Sequence, residues 1–156
     1  MSTSSLPPVA YRFWAWRFFD DLMLIYPVYV VLFLRTGLTL FDISLLLSIW
    51  CASVVISEVP TGAWADRYNR RNILLLAAVA KLLGFVCWSA AAGFWMFAAG
   101  FLLWGISESL ASGTAQSLLW DSLAAEGQSE RYLDVVSRGT AFSIAGTGIA
   151  MVSGGL

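Results

Sequence analysis

Histidine is absent from the 156 residues. No imidazole can therefore act as a base beside a serine or cysteine, or ligate a metal. Cysteine is scarce: Cys51 and Cys87 each lie inside an apolar run with no second cysteine nearby, and both read as packing residues. Charge is scarce too. Charged residues make up 12% of the chain and sum to −1, and no basic patch invites nucleic acid. A cleavable signal is also missing, because the first apolar stretch is long, aromatic and interrupted by Asp20 and Asp21. Neither a metal nor a cofactor is expected.

Apolar residues dominate instead. They make up 59% of the sequence, and the mean hydropathy is +0.75. A soluble domain of this size does not need so much apolar surface, so the chain reads as an all-α membrane protein whose surroundings are lipid. At ~20 residues per crossing plus loops, the length holds about five transmembrane helices. Residues 1–10 form a polar tail, and 11–156 form the helical domain, with helices expected at about 11–35, 42–61, 72–91, 95–119 and 138–156. Pro27 should kink the first helix. Arg17 can meet both Asp20 and Asp21 at i+3 and i+4 spacing.

Arginine sets the orientation. Arg12, Arg17, Arg67, Arg70, Arg71, Arg131 and Arg138 fall on one side of this layout, and Arg35 alone falls on the other. The positive-inside rule then places the N-terminus in the cytoplasm. A bacterial inner (plasma) membrane is the expected location.

Charges at membrane depth cost a few kcal/mol unless paired or wetted, so they point to function. Counting ~1.5 Å per residue from the inner loops, Lys81, Asp20 and Asp21 lie about 15 Å in and Glu108 about 20 Å in. We read Glu108, Asp20 and Asp21 as substrate or ion-coupling candidates, with Arg17 or Lys81 as partners. The alternatives are purely local: an interfacial ion pair of Arg17 with the aspartates, and a Lys81–Glu108 pair holding two helices together. The fifth helix is rich in small residues, and Gly146, Ala150 and Gly154 recur every four positions, which lets another helix approach closely. Enzymatic activity is not expected. Ser107 and Ser109 have no histidine to activate them, and Lys81 as base would have to lie within ~3 Å.

The densest charged segment is Gly62-Ala-Trp-Ala-Asp66-Arg67-Tyr68-Asn69-Arg70-Arg71. It resembles the signature loop G-x-x-x-D-R-x-G-R-R between helices two and three of the major facilitator superfamily. Asn69 stands where the family has Gly, a mild departure because Asn tolerates left-handed backbone. Asp66 is expected ahead of the third helix, facing free N–H groups. Glu58-Val59-Pro60-Thr61 resembles one branch of the family, and Glu58 is read as a structural partner of the loop. Helix four is similar to the family at Gly105, Ser112, Gly113 and Leu119-Trp120-Asp121-Ser122-Leu123.

The resemblance implies a secondary active transporter that moves a small solute by alternating access. Gly62, Asp66, Arg67, Arg70 and Arg71 would form a conformational clamp, with Asp121 latching onto Arg67 or Arg70. Family members have twelve helices in two halves, so this chain is expected to be the N-terminal part of the first half, either a fragment or a natural truncation. It would need a C-terminal half. The alternative is a non-transporting membrane scaffold. Two departures bear on coupling: Phe101 stands where many proton-coupled members carry Arg, and the Gly-Pro pair of the antiporter motif is missing from helix five. The first favours Glu108 as the ionisable group, and the second leaves export by antiport without support from that motif.

Overall fold

The computed structural model describes residues 6–154, apart from the side chains of Ala65 and Asp66. Among the described residues every element is helical: α1 (Pro8–Asp20), α2 (Tyr29–Arg35), α3 (Leu40–Arg67), α4 (Arg70–Ser89), α5 (Phe94–Ala125), a 3₁₀ turn (Ser129–Arg131) and α6 (Tyr132–Gly154). Four stretches are long and apolar enough to cross a bilayer: Leu40–Trp64, Arg70–Ser89, Phe94–Ala125 and Ser129–Gly154. With the interrupted first segment, this accords with about five transmembrane helices.

That first segment differs from the expected continuous helix. α1 ends at Asp20, and Asp21–Val28 turns irregularly before α2 begins. Pro27 supplies no N–H and disfavours helical backbone at Tyr26. Local bonds satisfy part of the break, with Met23 N–H donating to the Asp21 carbonyl at 2.9 Å and Tyr29 N–H to the Ile25 carbonyl at 2.9 Å. The kink has become an interruption.

The two longest helices run past the expected ends. α3 continues through Pro60 to Arg67, and Thr61 bonds its hydroxyl back to the Ser57 carbonyl at 2.7 Å. At the other end, Thr39 and Asp42 close a reciprocal capping box, so α3 starts at Leu40. α5 runs to Ala125, and α6 begins at Tyr132, which shortens the expected 120–137 loop. The reason is that leaving hydrocarbon does not end a helix whose residues still favour one; Leu119, Leu123 and Val135 remain fully buried beyond the apolar run. Gly127 (φ +66°) ends α5: its N–H bonds the Ala124 carbonyl, and Gln128 N–H bonds the Leu123 carbonyl at 2.8 Å. Gly37 (φ +88°) ends α2 with the same paired bonds, to Leu34 and Phe33. Both are Schellman caps, which need the left-handed backbone that glycine adopts without strain.

The chain divides into two compact units, residues 1–29 with 117–156, and residues 30–116. In the first, α1 packs on one face of α6. The buried positions of α6 are Val135, Gly139, Ser143, Gly146 and Ala150, a stripe of small residues. A Cβ on Gly139 would meet Phe13 Cε1 at 2.6 Å. On Gly146 it would overlap the Phe18 carbonyl oxygen, and on Gly154 the Leu24 carbonyl oxygen. Trp14 anchors the same seam by donating its indole N–H to the Val135 carbonyl at 2.8 Å. The partner of the small-residue stripe is thus the first helix; Gly155 and Leu156 lie outside the described residues.

The second unit is held by aromatics and by glycine contacts. Phe33 packs against Phe97 (centroids 4.3 Å apart), Trp88 (5.3 Å) and Phe101 (5.9 Å). A Cβ on Gly100 would overlap the Trp88 indole, and one on Gly84 would stand 3.0 Å from the Gly100 carbonyl oxygen. Gly105 meets α3, where a side chain would overlap the Ser53 hydroxyl.

The seam between α1 and α6 gives a paired prediction. Gly146→Ala should lower the unfolding free energy in detergent by about 1–3 kcal/mol, because backbone must shift to admit a methyl. Gly148→Ala, with nothing within 4 Å of its added carbon, should leave stability unchanged or slightly raised. Equal effects at the two positions would show that the seam is looser than described.

Candidate functional site

In the first unit, three polar side chains converge. Arg17 lies in the last turn of α1, Asp21 caps that helix, and Ser143 interrupts the glycine stripe of α6. Arg17 Nη2 donates to Ser143 Oγ at 3.2 Å and stands 3.8 Å from Asp21 Oδ2. The Ser143 hydroxyl donates to Asp21 Oδ2. The Arg17 and Asp21 side chains are 24% and 20% exposed, so neither charge is free in water and neither is wholly desolvated. Arg17 also sits 5.8 Å from the Trp16 ring centroid.

Local structure puts these groups together. Arg17 and Asp21 are four residues apart on one helical face. A cation in the last turn complements the negative C-terminal end of α1. Ser143 reaches both because the glycines around it let the helices touch. Asp21 is thirteen residues from the start of α1 and Ser143 eleven from the start of α6, about 20 Å and 17 Å along the helices.

Sequence reasoning named Arg17 and Asp21 but missed Ser143. The available signal was a hydroxyl within a small-residue stripe, four residues after Gly139 and three before Gly146. Asp20, the other aspartate expected here, is half-buried and has its own partner.

Lys81 and Glu108 belong to the second unit, where both are half-buried and partnered. Register relates them. Ser107 donates to the Ala77 carbonyl at 2.8 Å and Gly84 faces Gly100, so the numbers of facing positions on α4 and α5 sum to 184. Glu108 is therefore level with position 76, and Lys81 lies five residues further along α4, about 7.5 Å away along the axis. Ser107 is committed to α4 and Ser109 to α3, where its hydroxyl lies 2.8 Å from Thr61 Oγ1. Both serines are thus structural links between helices.

The signature segment needs two corrections. Asn69 is not left-handed: its φ is −60° and ψ is 119°, and its Oδ1 accepts the Arg71 N–H at 2.9 Å. Asn stands in for Gly here as the N-cap of α4, a position both residues suit. The backbone of Asp66 belongs to the last turns of α3 rather than to the start of α4; its side chain lies outside the described residues. Gly62 is exposed with open space around it, Arg67 and Arg71 are exposed, and Arg70 is half-buried with a partner. Asp121 is exposed in the last two turns of α5 and is likewise partnered. The Glu58 carboxylate is exposed, and among the described residues it makes no hydrogen bond to the loop.

The family model of the Major Facilitator Superfamily matches residues 18–156. The chain belongs to that superfamily. No curated protein and no solved structure matches it. Membership makes the chain an integral membrane protein of the transporter kind. Glycines 84, 100 and 105 are then the close helix contacts expected where lipid offers no hydrophobic drive for association.

The two ion pairs of the first unit should differ in weight. Arg138 bonds Asp134 at 3.1 Å, but those side chains are 57% and 48% exposed. Arg138→Gln should cost about 0.3–0.5 kcal/mol. Arg17→Gln should cost about 1.5–3 kcal/mol, since it strips a charge-assisted network from a half-buried carboxylate. Unfolding titrations in a bilayer mimetic would measure both, and equal costs would show that the Arg17 network is no better than a solvated pair.

Proposed function

We propose that this chain is the N-terminal part of a secondary active transporter, moving a small solute by alternating access and coupled to an ion. One observation carries this reading: a superfamily member keeps a half-buried Arg17–Ser143–Asp21 network about 20 Å along its first helix, bridged to α6. Charges at such depth are expensive, and transporters place their solute and coupling-ion sites near the midplane. Asp21 in one unit, and Glu108 with Lys81 in the other, are the proposed coupling groups. Gly62, Asp66, Arg67, Arg70 and Arg71 act as the cytoplasmic clamp, working with helices of a C-terminal half. The plasma membrane is the proposed location, with the N-terminus in the cytoplasm, as the arginine distribution indicates.

The test is flux. The chain, joined to its C-terminal half, is reconstituted in proteoliposomes and screened with a solute panel, using an internal pH dye to follow protons. Solute-dependent proton movement is expected, and Glu108→Gln should change its pH dependence. An unchanged pH profile would remove Glu108 from coupling, and a complete lack of solute movement would overturn the transporter reading. Asp66→Asn should slow solute counterflow at least tenfold while membrane insertion stays normal, and undiminished counterflow would remove the clamp.

A further inference from the structure

The exposed surface of α3 divides into two sectors. Phe41, Leu45, Ile56 and Val59 are all exposed and form a bulky apolar sector suited to lipid. Beside it runs a second exposed line, Ser44, Ser48, Cys51, Val55, Glu58 and Gly62. Steps of four and three residues keep these six within about 40° of one line, and Gly62 lies five full turns from Ser44. Nothing stands within 4 Å of a Cβ built on Gly62. The line is thus low where the neighbouring sector is bulky, a surface that another helix can approach closely.

One side chain on this line does not suit lipid. Ser44 and Ser48 turn their hydroxyls back to the Leu40 and Ser44 carbonyls, each at 2.9 Å, and need nothing from outside. Glu58 is different. It is exposed, and among the described residues its carboxylate has neither a hydrogen bond nor an ion pair. It stands six residues inside the Trp64 end of the apolar span Leu40–Trp64, about 9 Å along the axis. A carboxylate in that place needs a cation or water beside it.

We propose that Glu58 pairs with an arginine or lysine on a membrane-spanning helix of the C-terminal half, and that this helix lies along the Ser44–Gly62 line of α3. The pairing rests on the transporter reading, which supplies that half. A second copy of the chain does not fit the same face. Copies in one membrane share an orientation, so a twofold pair through α3 sets Glu58 against Glu58. Charge complementarity asks instead for a partner with a cation at that one level and a surface that fits the low line on either side of it. The ion pair also fixes register. Sliding the partner by one turn, about 5.4 Å, parts the charges, so the contact has a single closed position.

A nitroxide on the exposed Cys51, with every other cysteine replaced by serine, tests this in the full-length transporter in nanodiscs. Dissolved oxygen reports contact with lipid, and a water-soluble nickel chelate reports contact with water. The Cys51 label should be immobilised and shielded from both. A label at Ile56→Cys, on the bulky sector, should stay open to oxygen. Glu58→Gln should raise the mobile fraction at Cys51 about fivefold. Glu58→Lys should raise it further, because like charges then face each other. Oxygen access at Cys51 equal to that at Ile56→Cys would mark a lipid face, and access of the chelate a water-filled path; either overturns the contact. A Cys51 signal that Glu58→Gln leaves unmoved overturns the ion pair. Should Glu58→Lys fail to insert, the Glu58→Gln spectrum and the contrast between Cys51 and Ile56→Cys decide alone. A shielded Cys51 released by Glu58→Gln, in a protein that moves no solute, leaves this pairing standing and the transporter reading fallen. Flux with Cys51 open to oxygen does the reverse.

Discussion

The carbonyl oxygens of Phe18 and Leu24 rest against the Cα atoms of Gly146 and Gly154, and the unit formed by α1 and α6 depends on that contact. In lipid, apolar side chains gain nothing from leaving the solvent, so helices associate through close van der Waals contact and buried hydrogen bonds. Glycine permits the first, and Trp14 with its bond to the Val135 carbonyl supplies the second. The closeness has a chemical result. Only when the backbones nearly touch can a side chain as short as Ser143 bond two charged groups on the opposite helix. Packing and polar chemistry are here one arrangement.

The second unit uses the same rule with different parts. Gly84, Gly100 and Gly105 bring α3, α4 and α5 together, and hydroxyls of Thr61, Ser107 and Ser109 cross the gaps. Serine residues that sequence inspection weighs as nucleophiles prove to be interhelical bonds, each matched to an acceptor. This use leaves Glu108, between Ser107 and Ser109 on the helix, pointing along a direction neither serine occupies.

Much of this was legible in the sequence. Length and apolar runs gave the helices of the second unit, and the charged loop gave the superfamily. The small-residue stripe announced a close neighbour without naming it, because a stripe carries no record of what lies against it. The sequence announces only a kink after Asp20: a proline signals a missing donor, but whether a helix bends or stops depends on packing such as that of Pro27 on Gly154. The extension of α3 past Pro60 was missed for the converse reason, since Thr61 supports the helix there with its own hydroxyl. Asn suits both left-handed turns and N-caps, and at Asn69 the φ of −60° decides for the cap. Ser143 was invisible because its role comes from a partner more than 120 positions away.

The four-residue turn between α4 and α5 has a bearing on biogenesis. Below it, Trp88 already covers Gly100, and Gly84 meets the Gly100 carbonyl, all within one hairpin of adjacent sequence. Two consecutive segments that fit each other so closely need no third helix to shelter their facing backbones. As the chain leaves the ribosome, this hairpin is suited to partition from the translocon as a preassembled pair, giving later segments a template on which to settle.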